Sequence, residues 1–455
     1  MKAFDIEHSA WARFSPEERG QMEAYNVNYR HFLDTARTER LANKEIIRQA
    51  KEAGFKALSE YTSLKPGDKV YWDQKGKSAI LAVIGSQPIT DGMKIVGSHI
   101  DCPRLDLKAM PVVEKNKIVY FKTHYYGGIL KYQWVCMPLS LIGVVFTADG
   151  RQIDVSIGED PDDPVFYIND LLPHLGKDQA AKKLTEAITG EMLMPIVGTN
   201  STEEKTKPTI LSLLKEKYGI EEEDFASAEL EIIPAQKSRE VGLDRSMLMS
   251  HGHDDRVCSY GNLAAILNAA PGEKTQVALF ADKEEIGSVG NTGVHSSYFL
   301  DFTAELLALQ GQTEELYLRR TLRNSEVLSA DVCAALDPVF ANAYEENNAA
   351  KLGYGICLCK YTGARGKSGS NDANAEFLAK VRQIFNTNNV PWQIGELGKV
   401  DQGGGGTIAY IMADWGCDVV DCGVAMLSMH APLELVAKAD AYCGYLAYKA
   451  FFESK

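Results

Sequence analysis

Apolar runs that stop abruptly on a histidine or an acid recur along this chain. The fullest is Val277-Ala278-Leu279-Phe280-Ala281, which ends at Asp282-Lys283-Glu284-Glu285-Ile286-Gly287. An unbroken apolar stretch of that length, rich in branched and aromatic residues, predicts a buried strand. Ile95-Val96-Gly97-Ser98 predicts a second such strand, ending at His99-Ile100-Asp101. Ser329-Ala330-Asp331-Val332-Cys333-Ala334-Ala335-Leu336 predicts a third, with Asp331 near its start. Val424-Ala425-Met426-Leu427-Ser428-Met429 predicts a fourth, ending on His430. Met249-Ser250-His251-Gly252-His253-Asp254-Asp255 leads into a helix expected from about Asn262.

The flanking segments have their own signatures. Ser15-Pro16-Glu17-Glu18 is a helix start, with a capping serine, proline in the first turn and glutamate three residues on. The helical pattern continues to Ala53, with Gly54 as a C-terminal cap. Val70–Trp72 and Ala79–Ile84 predict a hairpin across a polar turn. Residues 110–245 predict a separate module. In it Val112-Val113 and Ile118–Phe121 are strand-like, and Leu139–Phe146 returns through Asp149-Gly150 into Gln152–Val155. A helix-rich segment is expected next, then a polar loop and an amphipathic stretch over Glu203–Gly219. A C-terminal helix is expected from about Glu434 to Phe452.

At 455 residues the chain is long enough for two domains. Its net charge of −14 argues against nucleic acid or an anionic membrane as partner. Met1–Arg13 lacks an apolar core, so no signal peptide is expected, and no apolar run is long enough to span a bilayer. The 9 cysteines have no zinc-ribbon spacing, and Cys357 and Cys359 share one face of a predicted strand. Core thiols in a reducing cytoplasm are the expectation. Lys360–Gly369 ends in Gly366-Lys367-Ser368, yet Tyr361 stands where a phosphate loop needs glycine, so nucleotide binding is not expected. Val400–Thr407 carries four glycines in a row, where backbone could approach a neighbour closely.

Each strand end has a bland reading: an exposed Glu-Glu pair, a structural histidine, or aspartates favoured at the mouth of a helix. Together they point elsewhere. His99, Asp254, Glu284-Glu285, Asp331 and His430 are oxygen and nitrogen donors with no cysteine among them, which suits zinc, manganese or cobalt in a two-metal hydrolytic site. The simplest division gives each metal one histidine and one carboxylate, with Asp254 between them. His251 and His253 are weaker candidates.

These motifs resemble those of the M18 metallo-aminopeptidases, the family of aspartyl aminopeptidase and the bacterial aminopeptidase I type. The resemblance spans nearly the whole chain. It rests on Gly97–Asp101, Asp254, Asp282–Gly287, Ser329–Asp331 and Leu427–His430, in that order. It implies an α/β, mixed-sheet, zinc-exopeptidase-like proteolytic domain (1–109 and 246–455) with an inserted β-rich dimerisation domain (110–245). It implies two divalent ions, zinc first with cobalt or manganese as alternatives. The implied ligands are His99, Asp254 as the bridge, Glu285, Asp331 and His430. Glu284 matches the general base and Asp101 the carboxylate that orients the ligand histidine. The reaction implied is removal of the N-terminal residue from peptides by a cytoplasmic homododecamer built from dimers. His174, in Pro173-His174-Leu175, matches a histidine that reaches the neighbour's site.

Three positions depart from the family pattern. Trp134 is followed by Val135-Cys136-Met137 rather than Asp-Arg, Asp337 stands where many members carry histidine, and Leu433 where an arginine is common. These weigh against a preference for acidic N-terminal residues and leave the metal chemistry untouched. Other readings compatible with the donors are a two-metal deacylase or phosphoesterase, or a non-catalytic assembly protein.

Overall fold

The computed structural model describes residues 9–200 and 206–455. Met1–His8 of the segment read for a signal peptide, and Glu203–Lys205 of the expected polar loop, lie outside them. The chain divides into two compact units, one of residues 1–101, 238–429 and 434–455, the other of residues 102–237 and 430–433.

The first unit is built on a nine-stranded mixed sheet. Its strands alternate in what they bury. Leu81, Val83, Val96, Ala278 and Phe280 join one apolar cluster, while Ile80, Ala82, Ile95, Val277 and Leu279 join another. A period of two places successive side chains on opposite faces, so a sheet clad on both sides needs near-continuous apolar strands. The first cluster includes residues of helices Pro16–Thr35, Glu39–Glu52, His253–Asn268, Ala375–Thr387 and Lys438–Glu453. The second includes residues of Tyr298–Ala308 and Ala409–Asp414.

Three strands matter most. Met93–His99 runs parallel to Thr275–Ala281 on one side and to Glu326–Ser329 on the other. In register, His99 faces Ala281 and Gly97 faces Ser329. All three therefore end at one edge of the sheet, where open α/β sheets place their sites. A five-stranded sheet in the same unit contains Met247–Ser250 and Ala425–Leu427.

The N-terminal helix start is as the sequence indicates: Ser15 Oγ accepts from Glu18 N, and Ser15 N donates to Glu18. The helix is not continuous, however, breaking at Ala36–Thr38. The predicted hairpin forms as Lys69–Gln74 and Ser78–Val83. The third strand stops at Ser329, so Asp331 lies beyond its end rather than near its start. The fourth stops at Leu427, and His430 sits three residues on at φ +64°. Helix His253–Asn268 begins nine residues before Asn262. Glu434–Ala437 is a strand paired with Met247–Ser250, and the last helix starts only at Lys438. Tertiary pairing overrides local helix preference there.

The second unit holds a seven-stranded sheet, including Arg104–Lys115, Ile118–Tyr126, Pro138–Phe146, Gln152–Ile157 and Ala228–Pro234. Its seam falls at Cys102 and Lys237 rather than at 110 and 245, because Arg104–Lys115 is one strand hairpinned to Ile118–Tyr126 along its length. The expected helix-rich segment is mostly irregular, with single turns at Lys177–Ala180 and Leu184–Ala187. Pro161, Pro164, Pro173, Gly176, Gly190 and Pro195 punctuate it too often for longer helices. Among the described residues no helix is long and apolar enough to cross a membrane.

Candidate metal centre

At the shared edge of the three parallel strands, His99 is buried and its ring orientation is fixed. Nδ1 lies 3.0 Å from the Asp101 carbonyl oxygen. A carbonyl can only accept, so Nδ1 carries a proton, and Nε2 is the nitrogen turned toward the carboxylates. That Nε2 lies 3.2 Å from Asp254 Oδ1, 3.8 Å from Asp331 Oδ1 and 4.0 Å from Glu284 Oε2. Three carboxylates around one imidazole call for positive charge among them, from a second ring proton or from a bound cation.

The groups fall into two sets of three that share His99. One set is His99, Glu284 and Asp331, the other His99, Asp254 and Glu285, and within each the donor atoms lie within 4.8 Å of one another. Asp101 and Asp255 add buried carboxylates against the same elements. This donor chemistry, imidazole and carboxylate with no sulfur, fits divalent zinc or a similar ion.

Backbone ties hold the set. Lys283 adopts φ +66° just past the strand end, which turns the chain back. The amides of Glu284 and Glu285 then donate to the two oxygens of Asp101, at 3.1 and 3.2 Å. Asp101 thus grips the glutamate pair through its carboxylate and His99 through its carbonyl, with the carboxylate Oδ1 also 3.4 Å from His99 Nδ1. His99 N donates to Asp255 Oδ2 at 3.2 Å, and Ser259 Oγ donates to His99 O at 2.6 Å. Asp254 N donates to Glu434 Oε2 at 3.0 Å. The Asp254–Asp255 peptide bond is cis. Gly423 makes room for the Asp331 backbone, since a Cβ there would lie 1.6 Å from Asp331 O.

The charges strain against burial. Burial disfavours a charge on His99, but Asp101 and Asp254 outweigh it and push its pKa well above the ordinary histidine range. Burial, then the charge of Asp331, pushes Glu284 up to about 8. Burial also pushes Asp255 well above the usual carboxylate range.

The remaining candidates lie elsewhere. His253 accounts for itself as a structural residue: Tyr29 Oη is 2.6 Å from Nδ1, Leu248 O is 3.2 Å from Nε2, and burial lowers its pKa to about 3. His251 is buried beside it in sequence and joins neither set. His430 groups with the second unit, where its Nδ1 donates to Gly128 O at 2.7 Å. His174 is exposed on the single turn Pro173–Leu175. The structure adds Asp255, Glu434, Ser259 and Gly423, whose part arises from contacts between elements far apart in the chain and leaves no motif in the sequence.

A mixed α/β fold with imidazole and carboxylate donors gathered at parallel strand ends defines a metal-dependent hydrolase. The chain belongs to the M18 aminopeptidases: the family model described as aminopeptidase I zinc metalloprotease (M18) matches residues 32–452. It is 46% identical over 455 residues to a probable M18 family aminopeptidase 1 of Clostridium acetobutylicum, covering 98% of each chain. It is 47% identical over 441 residues to the counterpart from Thermotoga maritima, covering 96% of this chain and 97% of that one. The crystal structure of an M18 aminopeptidase from Thermotoga maritima superposes with a TM-score of 0.94 at 45% identity, covering 98% of this chain and 99% of that chain.

Proposed function

We propose that this aminopeptidase works with two zinc-type ions at the strand edge and removes the N-terminal residue from peptides. The observation that carries this is the gathering of His99, Asp254, Glu284, Glu285 and Asp331 into overlapping donor sets at the strand edge, more carboxylate than one ion needs. Asp254 would bridge the ions, with His99 and Asp331 on one side and Glu285 and His430 on the other. The place of His430 rests on the Leu427–His430 motif and on its Nδ1–H bond to Gly128. When bound, such ions acidify the attacking water and polarise the scissile carbonyl.

The chain's own groups do the rest. Glu284 takes a proton from the water and returns it to the leaving amine. Burial is the main cause that raises Glu284; ligation of Asp331 and Asp254 would remove the like-charge part and lower it toward the range where a general base is effective. Asp101 positions Glu284 and Glu285 by their amides. The excess of carboxylate suits a substrate that brings a free amine, hence an exopeptidase.

The second unit would serve dimerisation and, through dimers, a dodecamer with His174 reaching a neighbour's site. Val165, Leu171, Leu172, Leu175 and Leu184 are each at least half exposed there, an apolar surface that suits burial by another copy. A yeast relative with the same fold, at 19% identity and TM-score 0.77, is described as a dodecamer. A cytoplasmic location is supported by nine cysteines that form no disulfide.

The test is a panel of aminoacyl anilides, acyl-amino acids and phosphate esters offered to metal-stripped protein before and after zinc, manganese or cobalt is returned. Metal-restored release of the N-terminal residue is expected. Cleavage of only acyl-amino acids or phosphate esters, with two ions bound, would overturn the aminopeptidase assignment. Glu284→Gln should retain both ions and lose on the order of a hundredfold or more in turnover.

A further inference from the structure

The first unit carries a second cluster of metal-ligating groups, made entirely of sulfur. Strand Ile356–Cys359 points Cys357 and Cys359 to the same face, and their Sγ atoms lie 3.7 Å apart. Cys333, opening the short strand Cys333–Ala334, brings its Sγ to 3.6 Å from that of Cys359. All three sulfurs lie within 4.8 Å of one another, and all three residues are buried. The backbone of Gly395 closes one flank. A Cβ at that position would lie 2.3 Å from Cys357 Sγ and 2.7 Å from Cys333 Sγ, so any side chain there would collide with the cluster.

We propose that Cys333, Cys357 and Cys359 form a binding site for a soft, sulfur-seeking metal ion, Cu(I) foremost, separate from the histidine-carboxylate centre. An ion bound in the plane of three sulfurs at about 2.3 Å sets their separations at about 4.0 Å, √3 times the bond. The two measured separations, 3.6 and 3.7 Å, are within a few tenths of an ångström of that value. The other members of this buried cluster are Ala335, Ala350 and Ala425, with Leu352 and Leu427 packed against it. Among the described residues no fourth histidine, cysteine or carboxylate groups with the three sulfurs, which disfavours zinc's tetrahedral closed sites and favours a trigonal all-sulfur ion. Three thiols become three thiolates as the ion enters, releasing three protons to solvent with no change of oxidation state.

The test uses the full-length protein with its histidine-carboxylate centre first filled with zinc. Cu(I) is added anaerobically in competition with a chromogenic Cu(I) chelator. One equivalent should be withdrawn from the chelator, and X-ray absorption at the copper edge should give three sulfur neighbours. Cys357→Ser and Cys359→Ser should each weaken retention by more than the roughly 10–100-fold that loss of a supporting contact costs. Cys136→Ser, at the exposed cysteine, should leave retention unchanged. No copper held against the chelator would overturn the proposal, as would nitrogen or oxygen neighbours or only two sulfurs in the unaltered protein. So would retention unchanged in both serine variants. The absorption measurement on the unaltered protein decides the matter even if the variants fail to fold.

Discussion

Asp101 offers the sharpest test of how the centre is held. Its carboxylate is fully buried and accepts the amides of Glu284 and Glu285, one on each oxygen, at 3.1 and 3.2 Å. Asp101→Asn keeps the shape but swaps one acceptor for an NH2 group, which then faces an amide donor. One hydrogen bond to a charged group is lost, worth about 1.5–3 kcal/mol, and a donor is set against a donor. The His99 bond to the residue 101 carbonyl is untouched, because it uses backbone. If the lost energy falls on the placement of the glutamates, turnover should drop about 10–100-fold, at 1.36 kcal/mol per factor of ten.

The assay is steady-state hydrolysis of an aminoacyl anilide by zinc-reconstituted enzyme, with zinc counted by mass spectrometry on the same samples. The expectation is a lower kcat, a KM changed by less than about threefold and near-full zinc content, since uniform binding is spared when only transition-state placement suffers. Complete loss of zinc would show that Asp101 is itself a ligand. Unchanged turnover would show that the Glu284–Glu285 backbone needs no such grip. Either result refutes the reasoning.

Gly423→Ala should push the Asp331 backbone away, because the new Cβ would sit 1.6 Å from its carbonyl oxygen. Weaker zinc retention and a stability loss of about 1–3 kcal/mol are expected, measured by chelator competition and urea unfolding; an unaltered zinc affinity would refute the role given to this contact. Stripping metal should destabilise the protein, since buried carboxylates then face one another, and zinc at about 100 times its dissociation constant should restore about 2.7 kcal/mol in thermal or urea unfolding. Burial opposes ionisation of Glu326, but Lys94, Lys380 and Lys274 outweigh it and hold its pKa at about 2, below the ordinary 4.5. That depressed value stabilises the fold above pH 4.5 and is lost as pH falls toward 2, an effect of about 3 kcal/mol at most. Lys94, pulled down to about 8 chiefly by burial, offsets part of it. The stability gap between the unaltered protein and Glu326→Gln should therefore shrink on acidification from pH 7 to 3, and a gap independent of pH would contradict the pairing.

Much of the centre was legible because its residues terminate apolar runs. His99, Glu284 and Glu285 stand where a buried strand meets the edge of its sheet, and the abrupt change of polarity marks that edge. Asp331 was legible as an acid in an apolar run, but its place was not. The apolar stretch continues to Leu336, whereas pairing with Met93–His99 stops at Ser329. Only the partner strand says where a ladder ends. The same holds for Glu434–Ala437, which sits just before a helical pattern and becomes a strand because Met247–Ser250 lies alongside.

What the pattern of residues could not convey is the set of cross-ties that make the ends into a site. Asp101 reads in sequence as a partner for His99, two residues away. In three dimensions its carbonyl and its carboxylate both lie against His99 Nδ1, at 3.0 and 3.4 Å, and the carboxylate also accepts the amides of Glu284 and Glu285, 183 and 184 positions on. Asp255 reads as a helix-mouth acid, yet it accepts the amide of His99, 156 positions away. The first contact follows from the parallel register that sets Ala281 beside His99, and the second from the helix His253–Asn268, which carries Asp255 against that strand end. Strand ends that stop together let short side chains bridge neighbouring backbones. The donors are therefore fixed by backbone groups that every residue possesses, which is why no residue type marks them. It also means that positional precision depends on two acids, Asp101 and Asp255, that the mechanism never asks to move a proton.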